Sequence, residues 1–159
     1  MRTEISHLTA ETLCLTISGC ITHLDLPKVL EAIGQVLELR DEYLTLVTDF
    51  SELQTLDPGV VGRVIAHAAH NNWQIPASIT ITRSQALATV CRAGAAVFKT
   101  RDYWVVGSRA EALEIARGRA ARERIAAHGA HATRRRLVSG EVALPAAGTR
   151  IAQAKRHTG

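Results

Sequence analysis

Four short apolar segments, TLCLTISG, YLTLVTDF, ASITIT and YWVVGS, are each followed by a longer stretch whose apolar residues recur at helical spacing. That alternation narrows the fold more than any other feature of the chain. A further apolar segment, EISHL, precedes them and is joined to TLCLTISG through the turn-like TAE. The predicted order is therefore β-β-α-β-α-β-α-β-α. A helix between consecutive strands lets those strands run parallel, whereas a tight turn forces them antiparallel. The pattern predicts an α/β fold with a mixed, mostly parallel sheet of about five strands and about four helices.

Individual segments carry their own signals. In TLCLTISG, Leu13, Leu15 and Ile17 alternate with Cys14, Thr16 and Ser18, the period of a strand buried on one face. In HLDLPKVLEAIGQVLELRDE, Leu26, Val29, Leu30, Ile33, Val36 and Leu37 keep helical spacing; Asp25 suits the N-cap and Pro27 the first turn. A third helix over SQALATVCRAGAAVF is interrupted by Gly94, and a last one opens with the capping-box spacing of Ser108 and Glu111. Tyr103 and Trp104 are neighbours in a strand, so one ring is expected inside and the other outside. Trp73 is expected to cap the core.

The stretch LVTDFSELQTLDPGVVGRV, residues 46–64, joins a buried-looking strand to the second helix through a polar loop. Ligands and partners of parallel sheets gather at the carboxyl ends of the strands, beside the helix starts that follow. This loop occupies such a place. Asp57 followed by Pro58 is also a sound helix start, since the acid faces the positive end of the helix dipole and proline needs no amide partner there. Gly59 then leaves a surface of bare backbone that another molecule can approach closely.

Composition limits what else the chain can be. Its 159 residues suit one domain with a tail, and 47% apolar content supports a core, although aromatics are only 4%. The core must be aliphatic. No apolar run reaches the ~20 residues needed to cross a bilayer, and MRTEISHLTAETL lacks the apolar block of a secretory signal. Three cysteines, Cys14, Cys20 and Cys91, are odd in number and widely spaced, so free thiols and a cytoplasmic location are expected. Charge is uneven. Residues 1–116 hold nine Lys/Arg against thirteen Asp/Glu, and residues 117–159 hold ten against two. The expected domain covers residues 1–128, and residues 129–159 read as a basic, flexible tail without apolar period. The run Arg134-Arg135-Arg136 has no aromatic residue after position 116 to accompany it, so only weak tail contacts with nucleic acid are expected.

Catalytic patterns are missing. There is no G-x-G-x-x-G, no Walker loop and no G-x-S-x-G elbow. His67 and His70 share the polar stripe of the second helix with Arg63, and no cysteine or carboxylate there completes a metal set. Asp49 and Asp57 are conceivable as paired acids, but Asp57 serves first as a cap. No catalytic residue, cofactor or metal is expected.

Val47-Thr48-Asp49-Phe50-Ser51-Glu52-Leu53-Gln54-Thr55-Leu56-Asp57 resembles the central signature of the STAS domain family, the fold of bacterial anti-sigma factor antagonists. That signature runs D-L-S-x-V-x-x-I-D after an apolar strand and precedes two small hydroxyl residues and a glycine. ISGCITHLDLPKVLEAI and YWVVGSRAEALEIA are similar to the family's earlier strand-to-helix passage and its closing strand and helix. The resemblance covers roughly residues 10–116. It implies a non-enzymatic regulatory domain in a bacterium that binds a protein partner of the anti-sigma factor or kinase type, with a homodimer as an alternative. The implied contact residues are Ser51, Glu52, Thr55, Asp57, Pro58, Gly59, Arg63 and His67. The chain departs from the pattern where the family's phosphoacceptor hydroxyl would stand, because Gly59 occupies that position. The competing reading is a carrier of a small ligand, a lipid or a nucleotide, held between sheet and helices.

Overall fold

The computed structural model describes residues 1–39 and 41–138, with backbone alone for 128–138. Its elements are β1 (Arg2–Thr9), β2 (Thr12–Ile21), a 3-10 turn (His23–Asp25), α1 (Leu26–Glu38), β3 (Thr45–Asp49), β4 (Leu53–Leu56), α2 (Pro58–His70), β5 (Ala77–Ile81), α3 (Gln85–Val97), β6 (Asp102–Val106) and α4 (Arg109–Val138). The main sheet runs β1-β2-β3-β5-β6, with β1 antiparallel to β2 and the other pairings parallel. The mixed, mostly parallel sheet and its four helices agree with the pattern of the sequence. β4 is an addition, falling inside what reads as a loop.

β2 explains that addition. It is ten residues long, and β3 pairs only with its first half, Thr12–Thr16. At Gly19 the backbone takes φ 80°, a left-handed conformation that glycine adopts without steric penalty. The register shifts there, and the remainder of β2 pairs with β4, Cys20 opposite Thr55 and Ile21 opposite Leu56. The chain after β3 thus returns to the same neighbouring strand.

Residues Met1–Glu123 form one compact unit, with apolar packing on both faces of the sheet. On one face Leu13, Leu15 and Ile17 meet Val29, Ala32 and Val36 of α1 and Val60 of α2. On the other, Cys14, Val47, Ile79 and Ile81 meet Ala112 and Ala116 of α4. The one-sided alternation predicted for β2 is therefore incomplete: Leu13 and Cys14 are both 0% exposed, because α4 covers the second face. Arg119 joins α4 to the start of β6 through an ion pair with Asp102, and reaches Glu123 at 3.4 Å. Tyr103 and Trp104 are both half-buried, so the expected split into an inner and an outer ring does not occur. Tyr103 donates to Thr80 Oγ1 at 3.0 Å, while Trp104 packs with the α4-side cluster.

The second unit, Arg124 onward, is described only as the later part of α4. The tail expected from residue 129 begins within the bounds of that helix, as does the arginine run. Residues 139–159 lie outside the described residues.

All three cysteines are free, Cys14 buried, Cys91 half-buried and Cys20 exposed. Burial pushes the Cys91 thiol from 9.0 up to about 11, against hydrogen bonds to Thr80 and Tyr103 that act in the opposite direction. The unfolded chain ionises this thiol first, so stability held below pH 9 is lost as pH rises towards 11. Denaturant melts at stepped alkaline pH should show that decline, and Cys91→Ala should remove part of its slope. An identical slope in Cys91→Ala would assign the decline to other groups.

Candidate functional site

The segment after β3 is held by local bonds that its own sequence provides. Asp49 is 5% exposed, and its Oδ1 accepts from the Ser51 amide at 2.9 Å. The Phe50 amide donates to the Ile81 carbonyl at 3.0 Å, and the Leu53 amide to the Phe50 carbonyl at 3.1 Å. These bonds turn the chain so that Ser51 and Glu52 project outward, both exposed. The segment is then tied along β2. Gly19 donates to the Glu52 carbonyl at 3.1 Å, and the Asp57 amide donates to the Ile21 carbonyl at 3.0 Å.

Asp57 caps α2 as its sequence position predicts. Its backbone is extended and its Oδ1 accepts from the Gly59 amide at 2.8 Å, with Pro58 in the first turn. Gly59 has a structural part in this arrangement. A Cβ placed on it would lie 3.1 Å from Asp57 Oδ1, so any other residue crowds the capping carboxylate. Asp57→Ala should cost ~1 kcal/mol, the usual worth of an N-cap. Urea denaturation of the two proteins measures it, and a difference below a few tenths would show the cap to be dispensable.

Asp49 and Asp57 each serve the turn that follows them. Each carboxylate is occupied by the backbone amide two residues ahead of it. Asp25 departs from its expected part: it directly precedes α1, yet its side chain makes no bond to that helix. Instead Oδ2 accepts from the Thr22 amide and hydroxyl, both at 2.9 Å, closing the 3-10 turn. Those two bonds, the amide first, hold its carboxyl below the ordinary carboxylate range.

The eight residues singled out from the sequence fall into two connected groups. Ser51 and Glu52 border a cleft of about 540 Å³ where β3, β5 and β6 end, which Asp49, Thr82, Arg83, Ser84, Ser108 and Arg109 also line. Thr55, Pro58, Gly59, Arg63 and His67 are exposed along β4 and α2, and Asp57 is half-buried between them. The exposed face of α2 continues through Gly62, Ala66, Ala69 and His70, so it carries mainly short side chains. His67 meets the Trp73 ring edge-on, centroids 5.0 Å apart, and Trp73 stacks on Phe98 at 6.1 Å. Trp73 thereby joins the ends of α2 and α3.

The cleft's other residues were not evident from the sequence as one group. Ser84 caps α3, accepting from the Leu87 amide at 3.3 Å. Ser108 caps α4 at 3.3 Å through the Glu111 amide, and Glu111 reaches back to the Gly107 amide at 3.0 Å. The box foreseen for these two residues thus closes one residue further back. Arg83 and Arg109 follow strand ends, which is the signal that could have drawn them together. Leu24, in the 3-10 turn three residues after Ile21, is 77% exposed. It lies outside the helical period of α1, so the sequence pattern gives it no place in the core.

A mixed, mostly parallel sheet of this order, covered by helices on both faces, is the SpoIIAA-like fold. A protein of the DUF3478 family from Shewanella loihica PV-4, described as having a SpoIIAA-like fold, superimposes with a TM-score of 0.52 at 14% identity, over 72% of this chain and 92% of that one. The anti-sigma factor antagonist SpoIIAA in its unphosphorylated form gives 0.49 at 18% identity, over 74% of this chain and 99% of its own. An anti-sigma factor antagonist from Mycobacterium paratuberculosis gives 0.48 at 18% identity, over 73% and 93%. No protein-family model and no curated protein sequence matches the chain. The fold is the one that the STAS resemblance implies.

Proposed function

We propose that this is a non-enzymatic regulatory domain that docks a protein partner, in the manner of an anti-sigma factor antagonist or scaffold subunit, without a phosphoswitch at the start of α2. The observation that carries the reading is the exposure of Ser51, Glu52, Thr55, Pro58, Gly59, Arg63 and His67 on one segment whose backbone is fastened to β2. A surface held in one shape before binding loses less entropy when a partner arrives. The short side chains on the outer face of α2 favour close approach. Phosphorylation in such a domain works by placing nearly two negative charges at a helix N-terminus. Gly59 has no hydroxyl to receive them, so regulation here rests on partner availability or on another site.

The same reading places the protein in the cytoplasm of a bacterium. Among the described residues no helix is long and apolar enough to cross a membrane. The test separates docking from folding. Arg63 is exposed, so Arg63→Glu should change stability by no more than about 0.5 kcal/mol. Reversing a charge on a docking face should nevertheless weaken partner capture at least tenfold. Capture from host lysate by wild type, Asp57→Ala and Arg63→Glu is compared with the melt of each. If both variants retain every wild-type partner, α2 is not the contact face.

A further inference from the structure

A cavity of about 170 Å³ lies between the sheet and the helices α1, α2 and α3. Leu15, Val36, Val64 and Gly94 bring one wall each from β2, α1, α2 and α3, and no charged side chain lines it. Its origin is in the composition. Only two phenylalanines are available to a core of short aliphatic residues, and β5 offers Ser78 and Thr80 to this space while α3 offers Gly94 and Ala95. Close packing is the rule in protein interiors, and a pocket of this size, partly open at the surface, departs from it. An apolar cavity of ~150 Å³ remains dry and takes up benzene.

One end of the cavity is polar. Tyr103 donates to Thr80 Oγ1 at 3.0 Å, so these two groups satisfy one another, and the Cys91 thiol also lines the cavity. Thr100 also lines the cavity, and its Oγ1 is buried without a hydrogen-bond partner. A buried hydroxyl left unpaired is costly, and a guest that brings one polar atom relieves that cost.

We propose that this cavity is a binding site for a compact, uncharged, apolar molecule that carries one hydroxyl, a phenol or short alcohol. The volume limits the guest to about six to nine non-hydrogen atoms, judged against the benzene-sized case. Nucleotides and long-chain lipids are excluded, since sites for larger ligands span roughly 300–1,000 Å³ and the walls offer no counter-charge. The site is independent of partner docking at α2, and either can fail alone.

The experiment uses the full-length, isotope-labelled protein and two probes of nearly equal shape, p-cresol and toluene, followed by NMR. Both should produce saturable shifts at the amides of Val64 and Gly94, with benzoate producing none. The hydroxyl should give p-cresol roughly a fivefold lower half-saturation concentration than toluene, the worth of one ordinary hydrogen bond. Thr100→Val keeps the shape and removes the hydroxyl, and should bring the two probes within about twofold. Gly94→Leu should abolish both by filling the space. Gly94→Ala is the milder variant, since its Cβ meets nothing nearer than the Phe98 ring at 4.0 Å, and it should weaken both probes. No saturable shift with either probe, or shifts untouched by the Gly94 variants, would overturn the site. A p-cresol preference that survives Thr100→Val would overturn the part given to the hydroxyl.

Discussion

Ile79→Ala should lower the unfolding free energy by about 3–4 kcal/mol, within the 2–5 kcal/mol range of buried Ile truncations. Ile79 is 0% exposed in the middle of β5, with β3 and β6 on either side of it. Its side chain belongs to the cluster that holds α4 against the sheet, together with Cys14, Val47 and Ile81. The helix contributes Ala112 and Ala116 to that cluster, and alanines have no length with which to fill a vacancy. Movement of the helix backbone into the vacancy is opposed by its Arg119 ion pair to Asp102. Chemical denaturation gives the value. A loss below about 1.5 kcal/mol would mean that α4 follows the sheet inward and the layer is soft.

Asp49→Ala is expected to cost about 2 kcal/mol, twice the effect of Asp57→Ala, though the two acids make bonds of the same kind. A hydrogen bond to a charged acceptor contributes ~1.5–3 kcal/mol where water is excluded, and Asp49 is buried while Asp57 is half-exposed. The Ser51 amide loses its acceptor in the variant. The turn from β3 into β4 should then loosen, while α2 keeps its own cap. Two measurements separate these effects: equilibrium denaturation for the cost, and limited proteolysis for its place. Cleavage should quicken between Phe50 and Leu53 and not within α2. Equal protection of both segments would show that the carboxylate does not hold the turn.

The sequence makes much of the fold legible because strand and helix periods are local properties. Leu13, Leu15 and Ile17 announce a strand, and Val29, Ile33 and Val36 announce a helix, without knowledge of their partners. Asp57-Pro58 is legible for the same reason, since a cap is made by residues two apart. β4 is not. Leu53-Gln54-Thr55-Leu56 has two polar residues between two leucines, and it is a strand only because β2 extends past Gly19 to pair with it. The burial of Cys14 likewise depends on α4, nearly a hundred residues later in the chain. Asp25 shows a local signal with two outcomes, for the same carboxylate can bond forward to a helix or back to Thr22, and it bonds back. The cleft at the strand ends is assembled from three separate segments, and no spacing along the chain could have joined Ser51 to Arg109.

The two tryptophans stand on different layers, and this makes the molecule its own optical instrument. Trp73 stacks on Phe98 and meets His67 on the side of α2 and α3, whereas Trp104 packs with Val47 and Ile79 on the side of α4. Replacing either one by phenylalanine leaves a single emitter that reports one layer only. If the layers melt together, the two emission curves coincide. If α4 detaches first, the Trp104 signal shifts to the red while Trp73 remains dark to the change, and an event on one face of the sheet can be timed against an event on the other.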